Sequence, residues 1–197
     1  MKKRWVFTGV AGLLGALFLG CVLWVGGASG WFGLGALAAG EEPAWEHAYP
    51  TTWDPAGRPV EDLLIQWGSG PVEVRVGEGP VVTVTEYASR PLEAGEMLSL
   101  SFSGGALEIA WDGGLLPLGG LQNWQKRLVV EVPQDIASQL DEFSCGNAQG
   151  DIKVNGFTAE TARVSSLSGD VDLAGFNGVK VNASTVSGAV HWRGGSA

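Results

Sequence analysis

Three aspartates near the end of the sequence have a spacing that could support acid–base chemistry. Asp151 and Asp170 lie nineteen residues apart, each directly after a glycine, and Asp172 follows two positions later. If the chain coils with this period, Asp151 and Asp172 could lie about 5–9.5 Å apart, as glycoside hydrolysis requires of its two carboxylates. No Arg or Lys cluster accompanies them to hold an acidic sugar. We therefore prefer solubility and turn hydrogen bonding as their roles, and we predict a non-enzyme without catalytic residues.

Histidines and cysteines offer no better constellation. His47 and His191 have no His or Cys partner at ligand spacing, and the nine-residue calcium-binding repeat of some coiled β-proteins is absent. We therefore predict no metal and no cofactor. Cys145 aligns with apolar repeat positions, which predicts a buried free thiol rather than a nucleophile. Cys21 lies in an apolar N-terminal segment, so no internal disulfide is expected.

Stacked hydroxyl groups are the remaining candidates for ligand contact. In adjacent copies of a nineteen-residue repeat they would pair Ser165 with Ser184, Ser166 with Thr185, and Ser168 with Ser187. Such rows could meet glycans, but we prefer the interpretation that they solvate corners of the chain. The sequence shows no phosphate-binding loop and no nucleophile motif.

The elements that must position these residues come from an internal repeat. From Asp151 the chain reads DIKVNGFTAETARVSSLSG, from Asp170 it reads DVDLAGFNGVKVNASTVSG, and AVHWRGGSA begins a third copy. Alternating apolar residues predict strands with one buried face, and the Gly, Asn and Ser between them predict corners. A unit of this length has no room for a crossover helix. The repeat therefore predicts an all-β fold, a right-handed parallel β-solenoid with rungs of about 19 residues.

Stacking by one period fixes the expected neighbours. The internal columns are Phe157 under Phe176, Ile152 under Val171 under Val190, and Val154 under Leu173 under Trp192. On the outer face, Lys153 should meet Asp172 and then His191, which permits an ion pair between rungs. Asp151 under Asp170 places like charges together, which is unfavourable unless both carboxylates bind turn amides.

The preceding part of the chain predicts further strands at 62–67, 72–76, 81–85 and 128–132. A Gly104-Gly105 hairpin joins 98–102 to 107–111. A short helical turn is expected near 134–140, and 112–124 should form a loop over one end of the core. Ser69-Gly70-Pro71-Val72 echoes Ser168-Gly169-Asp170-Val171. The N-terminal strands are therefore either degenerate rungs or a sheet and hairpin that cap the coil.

Charge is distributed unevenly along the chain. Lys2, Lys3 and Arg4 are the only charged residues before Glu41, and all 21 acidic residues begin there. Nine basic residues accompany them, so the chain from Glu41 onward carries a net charge of −12. This balance argues against nucleic acid or an anionic membrane surface as the direct partner.

An uncharged stretch of 36 residues, 5–40, predicts membrane attachment. A helix over Trp5–Trp24 would span about 28 Å, close to a hydrocarbon core. We predict a cytoplasmic tail at 1–4, a transmembrane anchor at 5–25, an extension and Pro-rich stalk without regular structure at 26–59, and an extracytoplasmic β-domain at 60–197. Two alternatives are a signal-peptidase site at Ala36-Leu37-Ala38 and a lipoprotein-like box at 17–21. The length of the apolar run favours the uncleaved, single-pass anchor.

The motifs S-L-S-G-D-V-D-L and T-V-S-G-A-V, preceded by K-R-L-V-V-E-V-P, resemble a bacterial domain-of-unknown-function family labelled "putative adhesin". LiaG-like membrane-anchored proteins belong to the same group. The resemblance covers 60–197, although Ala189 replaces the Asp of the motif. It implies a binding or scaffolding module at the bacterial cell envelope, with a wall polymer or an envelope protein as partner. It supplies no catalytic residues and leaves the oligomeric state open. The alternatives are an accessory regulator in envelope-stress signalling and a carbohydrate-active enzyme.

Overall fold

The alternation of apolar and polar residues produces strands through most of the chain that the structure describes. The structure is a computed structural model and describes residues 45–111 and 125–196. These residues form thirteen strands in two sheets, with a 3₁₀ turn at Ala94–Glu96 and a single helical turn at Gln134–Ala137. In chain order the strands are β1 His47–Trp53, β2 Asp62–Trp67, β3 Val72–Gly77, β4 Val82–Ala88, β5 Leu98–Ser103, β6 Ala106–Trp111, β7 Lys126–Pro133, β8 Leu140–Gln149, β9 Ile152–Asn155, β10 Thr158–Ser168, β11 Val171–Ala174, β12 Asn177–Ser187 and β13 Val190–Arg193. The predicted strands, the helical turn and the Gly104-Gly105 hairpin are confirmed.

The nineteen-residue repeat stacks in parallel and in the predicted register. β10 pairs with β12 so that Thr158 lies beside Asn177. In the other sheet, β11 lies between β9 and β13. Its Val171 is flanked by Ile152 and Val190, and its Leu173 by Val154 and Trp192. The all-β, solenoid-like architecture is therefore confirmed, while the right-handed sense of the coil stays a prediction.

The rungs of the coil do not follow one another in chain order. Within the described residues, five rungs can be traced, each with one strand in either sheet: β6–β7, β2–β3, β8–β9, β10–β11 and β12–β13. The six-strand sheet runs β12-β10-β8-β2-β6-β5, and the seven-strand sheet runs β1-β4-β7-β3-β9-β11-β13. The early rung β2–β3 is thus inserted between two rungs that come later in sequence. The similarity of Ser69-Gly70 to Ser168-Gly169 therefore corresponds to a true rung, β2–β3.

The same N-terminal region also caps one end of the coil, so both expectations for it are confirmed. β5 pairs antiparallel with β6 in one sheet, and β4 pairs antiparallel with β7 in the other. β1 then adds antiparallel to β4 as the outermost strand. The change from parallel to antiparallel pairing ends the coil at this side.

The expectation that residues 26–59 lack regular structure is wrong for His47–Trp53, which is β1. Pro50 lies within this strand, opposite Thr85. A proline is tolerated here because β1 has a partner on one side only, and the missing N–H is not needed on the open side. A proline-rich composition is therefore compatible with an edge strand.

The apolar core lies between the two sheets and runs the length of the coil. Phe157 and Phe176 are both fully buried. Both pack on Phe143 of β8, with ring centroids 5.3 and 5.6 Å from its ring. Cys145 aligns with Val164 and is buried, and burial raises the pKa of its thiol to about 12. The predicted buried, free thiol is confirmed.

A buried ion pair lies near the capped end. Lys126 and Glu86 each expose 1% of their side chains, and the ammonium group donates to the Glu86 carboxylate and to the carbonyl of Glu96. The Lys126 ammonium also lies 4.7 Å from the ring centroid of Trp111 and 5.4 Å from that of Trp67. Burial lowers the pKa of Lys126, and the hydrogen bond with Glu86 opposes that shift. The pair joins the cap strand β4 to the first rung.

Several sequence predictions lie outside the described residues. They are the cytoplasmic tail, the anchor at 5–25, the extension up to residue 44, and the loop at 112–124. Across 45–111 and 125–196, no helix has the length and hydropathy needed to cross a membrane.

Candidate binding groove

A column of glycines forms the corner where β2, β8, β10 and β12 of the six-strand sheet turn into the seven-strand sheet. This glycine corner consists of Gly70, Gly150, Gly169 and Gly188, with φ angles of +97°, +115°, +135° and +153°. Adjacent corners are hydrogen-bonded, for example from Gly150 N–H to the carbonyl of Ser168 at 2.7 Å. A Cβ atom at Gly169 would lie 2.4 Å from the carbonyl carbon of Gly150. Glycine is required because neighbouring corners approach too closely for any side chain.

The stacked aspartates follow directly after the glycine corner and bind it. Asp151 Oδ1 accepts a hydrogen bond from Asp170 N–H at 2.9 Å, and Asp170 Oδ1 accepts one from Ala189 N–H at 2.8 Å. Each carboxylate therefore satisfies the turn amide one rung further along. The stack of like charges is acceptable because both carboxylates bind turn amides. Turn hydrogen bonding, the preferred role of these residues, is confirmed.

A second polar column lies inside the corner, at Asn147, Ser166 and Thr185. Ser166 Oγ donates to the carbonyl of Gly150 at 3.2 Å, and Thr185 Oγ1 donates to that of Gly169 at 2.8 Å. Asn147 Nδ2 bridges the carbonyls of Gly70 and Gly150, each at 3.0 Å. The preferred interpretation, that Ser166 and Thr185 solvate the corner, is wrong for Ser166. They point inward, and Ser166 is 1% exposed, because the corner carbonyls need internal donors.

The outer side of the glycine corner forms a groove of about 420 Å³. We call it the corner groove. It is lined by residues 69–73, 125–127 and 149–151, together with Trp45 and Lys153. These residues come from three neighbouring rungs and from the segment that precedes β1. The rung insertion is what brings them together.

Charges in the corner groove are balanced and partly paired. Arg127 donates to Glu73 at 2.8 Å, and Arg75 donates to the same carboxylate at 2.9 Å. Burial opposes ionisation of Glu73, but the hydrogen bond from Arg127 and the charges of both arginines outweigh it, so its pKa is held below the usual range. Gln125 and Gln149 add neutral amide groups. The groove offers hydrogen-bond donors and acceptors without a strong net charge.

A second groove of about 370 Å³ continues along the outer face of the seven-strand sheet. We call it the sheet groove. It is lined by residues 151–153, Asp170, Asp172, His191 and Arg193, so it shares Asp151 and Lys153 with the corner groove. The two grooves therefore form one continuous surface over the coil.

The sheet groove corrects two predictions about its charged residues. Lys153 and His191 do flank Asp172 in the register, but the ion pair of Asp172 is with Arg193. Arg193 of β13 reaches diagonally to Asp172 on the adjacent strand β11. Lys153 and Arg193 also show that cationic side chains do accompany the aspartates, since the coil brings rungs together that are separated in sequence.

The other candidate ligands do not converge. His47 lies on the outermost strand β1, and His191 lies on the outer face of β13. Among the described residues, no group of three His, Cys, Asp or Glu side chains is arranged to hold a metal ion.

The architecture has counterparts among known proteins. A family model described as "Toastrack DUF4097", a domain of unknown function, matches residues 55–196. The chain belongs to the Toastrack family. The resemblance inferred from the S-G-D-V motifs is thereby confirmed. Comparison with functionally curated proteins finds no match.

Solved structures similar to this Toastrack chain carry adhesin names. A crystal structure titled "putative cell adhesion protein" from Clostridium sporogenes aligns with a TM-score of 0.54 and 13% identity, covering 75% of this chain and 98% of that one. A "putative adhesin" from Parabacteroides distasonis aligns with a TM-score of 0.33 and 14% identity, over 74% and 73% of the two chains. Another from Bacteroides fragilis aligns with a TM-score of 0.30 and 9% identity, over 80% and 98%. At these identities the likeness extends to the fold alone.

Sequence reasoning missed several residues of the corner groove. Trp45, Gln125 and Arg127 line it but stand far from the repeat in sequence. The available signal was the Ser69-Gly70 echo, which placed residues 69–73 beside the repeat. The partners of that rung on its other side, 125–127, follow no period and could not be placed.

Proposed function

We propose that this Toastrack chain is an extracytoplasmic binding module of the bacterial cell envelope, held to the membrane by a single N-terminal anchor at 5–25. Its ligand is a wall polymer, which lies across the rungs in the corner groove and the sheet groove. The observation that carries the proposal is the continuity of these two grooves through Asp151 and Lys153. The cell adhesion name of the similar structure from Clostridium sporogenes supports a binding role.

The repetitive build of the surface suits a repetitive ligand. Rungs are spaced by about 4.8 Å, the distance between adjacent strands, which is comparable to the length of one sugar unit. Asp151 and Asp170 occupy equivalent places on adjacent rungs, as do Lys153 and Asp172. A polymer that advances by one unit per rung meets hydrogen-bonding side chains at both positions of these two rungs.

The chemistry of the lining favours a polyhydroxylated, weakly charged polymer. Trp45 supplies an indole ring against which an apolar sugar face can pack, and Gln125 and Gln149 supply amides for hydroxyl groups. The net charge of −12 from Glu41 onward disfavours a strongly anionic polymer. No catalytic step is assigned, since Asp151 and Asp170 hold turn amides and Asp172 pairs with Arg193.

The test is cosedimentation of the full chain, in detergent, with purified insoluble peptidoglycan. Trp45→Ala and Gln149→Ala should each weaken binding by about tenfold or more, as expected for truncated contacts at a ligand site. Glu160→Ala is the matched control, because Glu160 is exposed on the six-strand sheet, away from both grooves. Failure of the wild-type chain to sediment with the polymer, or equal binding by Trp45→Ala, would refute the proposal.

The same preparation separates binding from hydrolysis. Prolonged incubation should release no soluble sugar fragments, and Asp172→Asn should not change this. Release of fragments that stops in Asp172→Asn would instead establish an enzyme. Protease treatment of intact cells tests the location: the β-domain should be digested from outside, and its protection would contradict an extracytoplasmic position.

A further inference from the structure

Two charged side chains occupy inward positions of the seven-strand sheet, where its alternation calls for apolar residues. Glu86 follows Val84 on the buried face of β4, and Lys126 precedes Leu128 on that of β7. The two strands are antiparallel neighbours with Glu86 opposite Leu128, so the charged side chains are diagonal partners. A buried ion pair is often no more stabilising than an apolar pair of similar volume. Packing alone therefore does not explain why these residues are charged.

The pair lies in a site from which solvent is excluded. Both side chains are 1% exposed. The ring centroids of Trp67 and Trp111 lie 5.4 and 4.7 Å from Lys126 Nζ. Burial lowers the pKa of Lys126, because a charged ammonium group is poorly stabilised away from water. Its neutral amine, which is the nucleophilic form, is therefore more accessible than that of an exposed lysine.

The two oxygens of the Glu86 carboxylate have different partners. Oε1 accepts a hydrogen bond from Lys126 Nζ, and Oε2 accepts one from the backbone N–H of Leu98 at 3.0 Å. Lys126 Nζ also donates to the carbonyl of Glu96, which accepts a second hydrogen bond from the Trp111 indole N–H at 3.0 Å. The nitrogen therefore faces the carboxyl group, and a fixed backbone donor is aimed at the other oxygen, as in an oxyanion hole.

We propose that Lys126 and Glu86 become joined by an isopeptide bond between Nζ and Cδ, which the folded protein forms by itself. The ammonium group passes one proton to Oε1, and the neutral amine attacks Cδ, so that negative charge develops on Oε2 beside the Leu98 N–H. A second proton moves from the nitrogen to Oε1, the Cδ–Oε1 bond breaks, and one water leaves. The buried ion pair is the state before this reaction. No oxidant, reductant or further reactant is required.

The product amide fits the hydrogen bonds that surround the pair. Its N–H donates to the carbonyl of Glu96, and its oxygen, the former Oε2 of Glu86, accepts from the N–H of Leu98. The reaction replaces two buried charges by one neutral group whose polar atoms both have partners, which removes the cost of keeping charges away from water. The same contacts therefore favour both the attack and its product.

A bond at this position fastens the cap to the coil. β4 belongs to the cap and β7 to the neighbouring rung, and the link closes a loop of chain from residue 86 to residue 126. A closed loop restricts the unfolded chain, and tension on the chain cannot separate β4 from β7 at this point. Such a link suits a domain that is tethered at one end and bound to a polymer, but the inference does not depend on the groove or its ligand.

The test is mass spectrometry of the full chain after digestion with trypsin. Residues 76–127 form one peptide if Lys126 is acylated, because trypsin does not cleave after an acylated lysine or before Pro91. In most molecules this peptide should be lighter, by one water, than its sequence requires. A second digestion, after glutamate residues, should leave the pieces that carry Glu86 and Lys126 joined to each other.

Glu86→Gln distinguishes this reaction from other losses of water. The Lys126 amine should displace ammonia from the glutamine side chain, so the linked peptide of the variant should have the same mass as that of the wild type. Lys126→Arg is the matched control, because it keeps the positive charge but its guanidinium group stays protonated and does not attack; its peptides should have their full mass. Lys153 and Asp172 are neighbours in register on the outer face and should stay unlinked.

Each other outcome overturns the proposal. Wild-type protein that is folded by circular dichroism but keeps its full mass in most molecules contains an ion pair and no bond. Loss of water at Asp112, which precedes Gly113 and can cyclise, would leave the pieces that carry Glu86 and Lys126 separate after the second digestion. Joined pieces in which the acceptor is another glutamate, such as Glu96, would show that the geometry at Glu86 does not direct the reaction.

Discussion

Adding one methyl group to the glycine corner, with Gly169→Ala, is expected to remove a large share of the stability of the fold. Gly169 has a φ of +135°, and its Cβ would lie 2.4 Å from both the carbon and the oxygen of the Gly150 carbonyl. The clash is with backbone, so no side chain can move away to relieve it.

Two costs add at this position. Holding a non-glycine residue in such a φ region costs about 1–3 kcal/mol. Forcing extra volume into a packed site costs about 1–3 kcal/mol more. The sum, about 2–6 kcal/mol, is comparable to the 5–15 kcal/mol that stabilises a typical domain.

Urea denaturation followed by circular dichroism measures this loss. With a slope of about 2 kcal/mol per molar, the midpoint should fall by about 1–3 M without a change in slope. Gly146→Ala is the control, because Gly146 has no positive φ and a methyl group added there would meet no atom within 4 Å. That control should be neutral or stabilising by about 0.4–1 kcal/mol. If the two variants unfold within about 0.5 kcal/mol of each other, the close approach of the corners is wrong.

Three further changes test the core, the cap and the surface. Phe176→Ala should cost about 3–5 kcal/mol in urea denaturation because the ring is fully buried, and a cost near zero would show that it is not. Glu86→Leu should cost about 3–5 kcal/mol by leaving the Lys126 ammonium buried, and the double variant with Lys126→Met should recover part of it; no recovery would mean the pair is not coupled. The hydrogen bonds from Arg90, and then from the backbone N–H of Glu93, lower the pKa of Glu96 to about 2, so their stabilisation is complete above pH 4.5 and disappears as pH falls toward 2. A carboxyl NMR titration should place the Glu96 pKa near 2 and nearer 4.5 in Arg90→Ala, and an unchanged value would contradict that origin.

The repeated part of the fold could be predicted from the sequence because its pattern overdetermines the register. Strict alternation around Ile152 and Val171 fixes which face is buried, and Gly169 fixes where each rung turns. Shifting the register by one residue would expose every apolar side chain. The residues nineteen positions before and after Leu173, Val154 and Trp192, could therefore be predicted as its neighbours.

The order of the remaining rungs could not be predicted, since long-range strand pairing leaves no period in the sequence. The Ser69-Gly70 echo suggests that Val72 belongs to a rung, but nothing indicates that this rung lies between those of Leu128 and Ile152. Neither does the proline in β1 suggest a strand, because its tolerance depends on being at the edge. The candidate groove inherits this limit: Asp151 and Asp172 were found from the repeat, whereas Trp45 and Gln125 needed the three-dimensional fold.

The insertion of β2–β3 between later rungs has a consequence for how the polypeptide acquires its structure. β2 needs both β6 and β8, and β3 needs both β7 and β9, so the two strands do not have all their partners until residue 155 has been made. The coil therefore cannot form rung by rung from the N-terminus as the chain is synthesised. A solenoid with its rungs in chain order could fold in that way. Until then β2 and β3 each keep at least one unpaired edge, so we expect nascent chains truncated before β8 to be prone to aggregate.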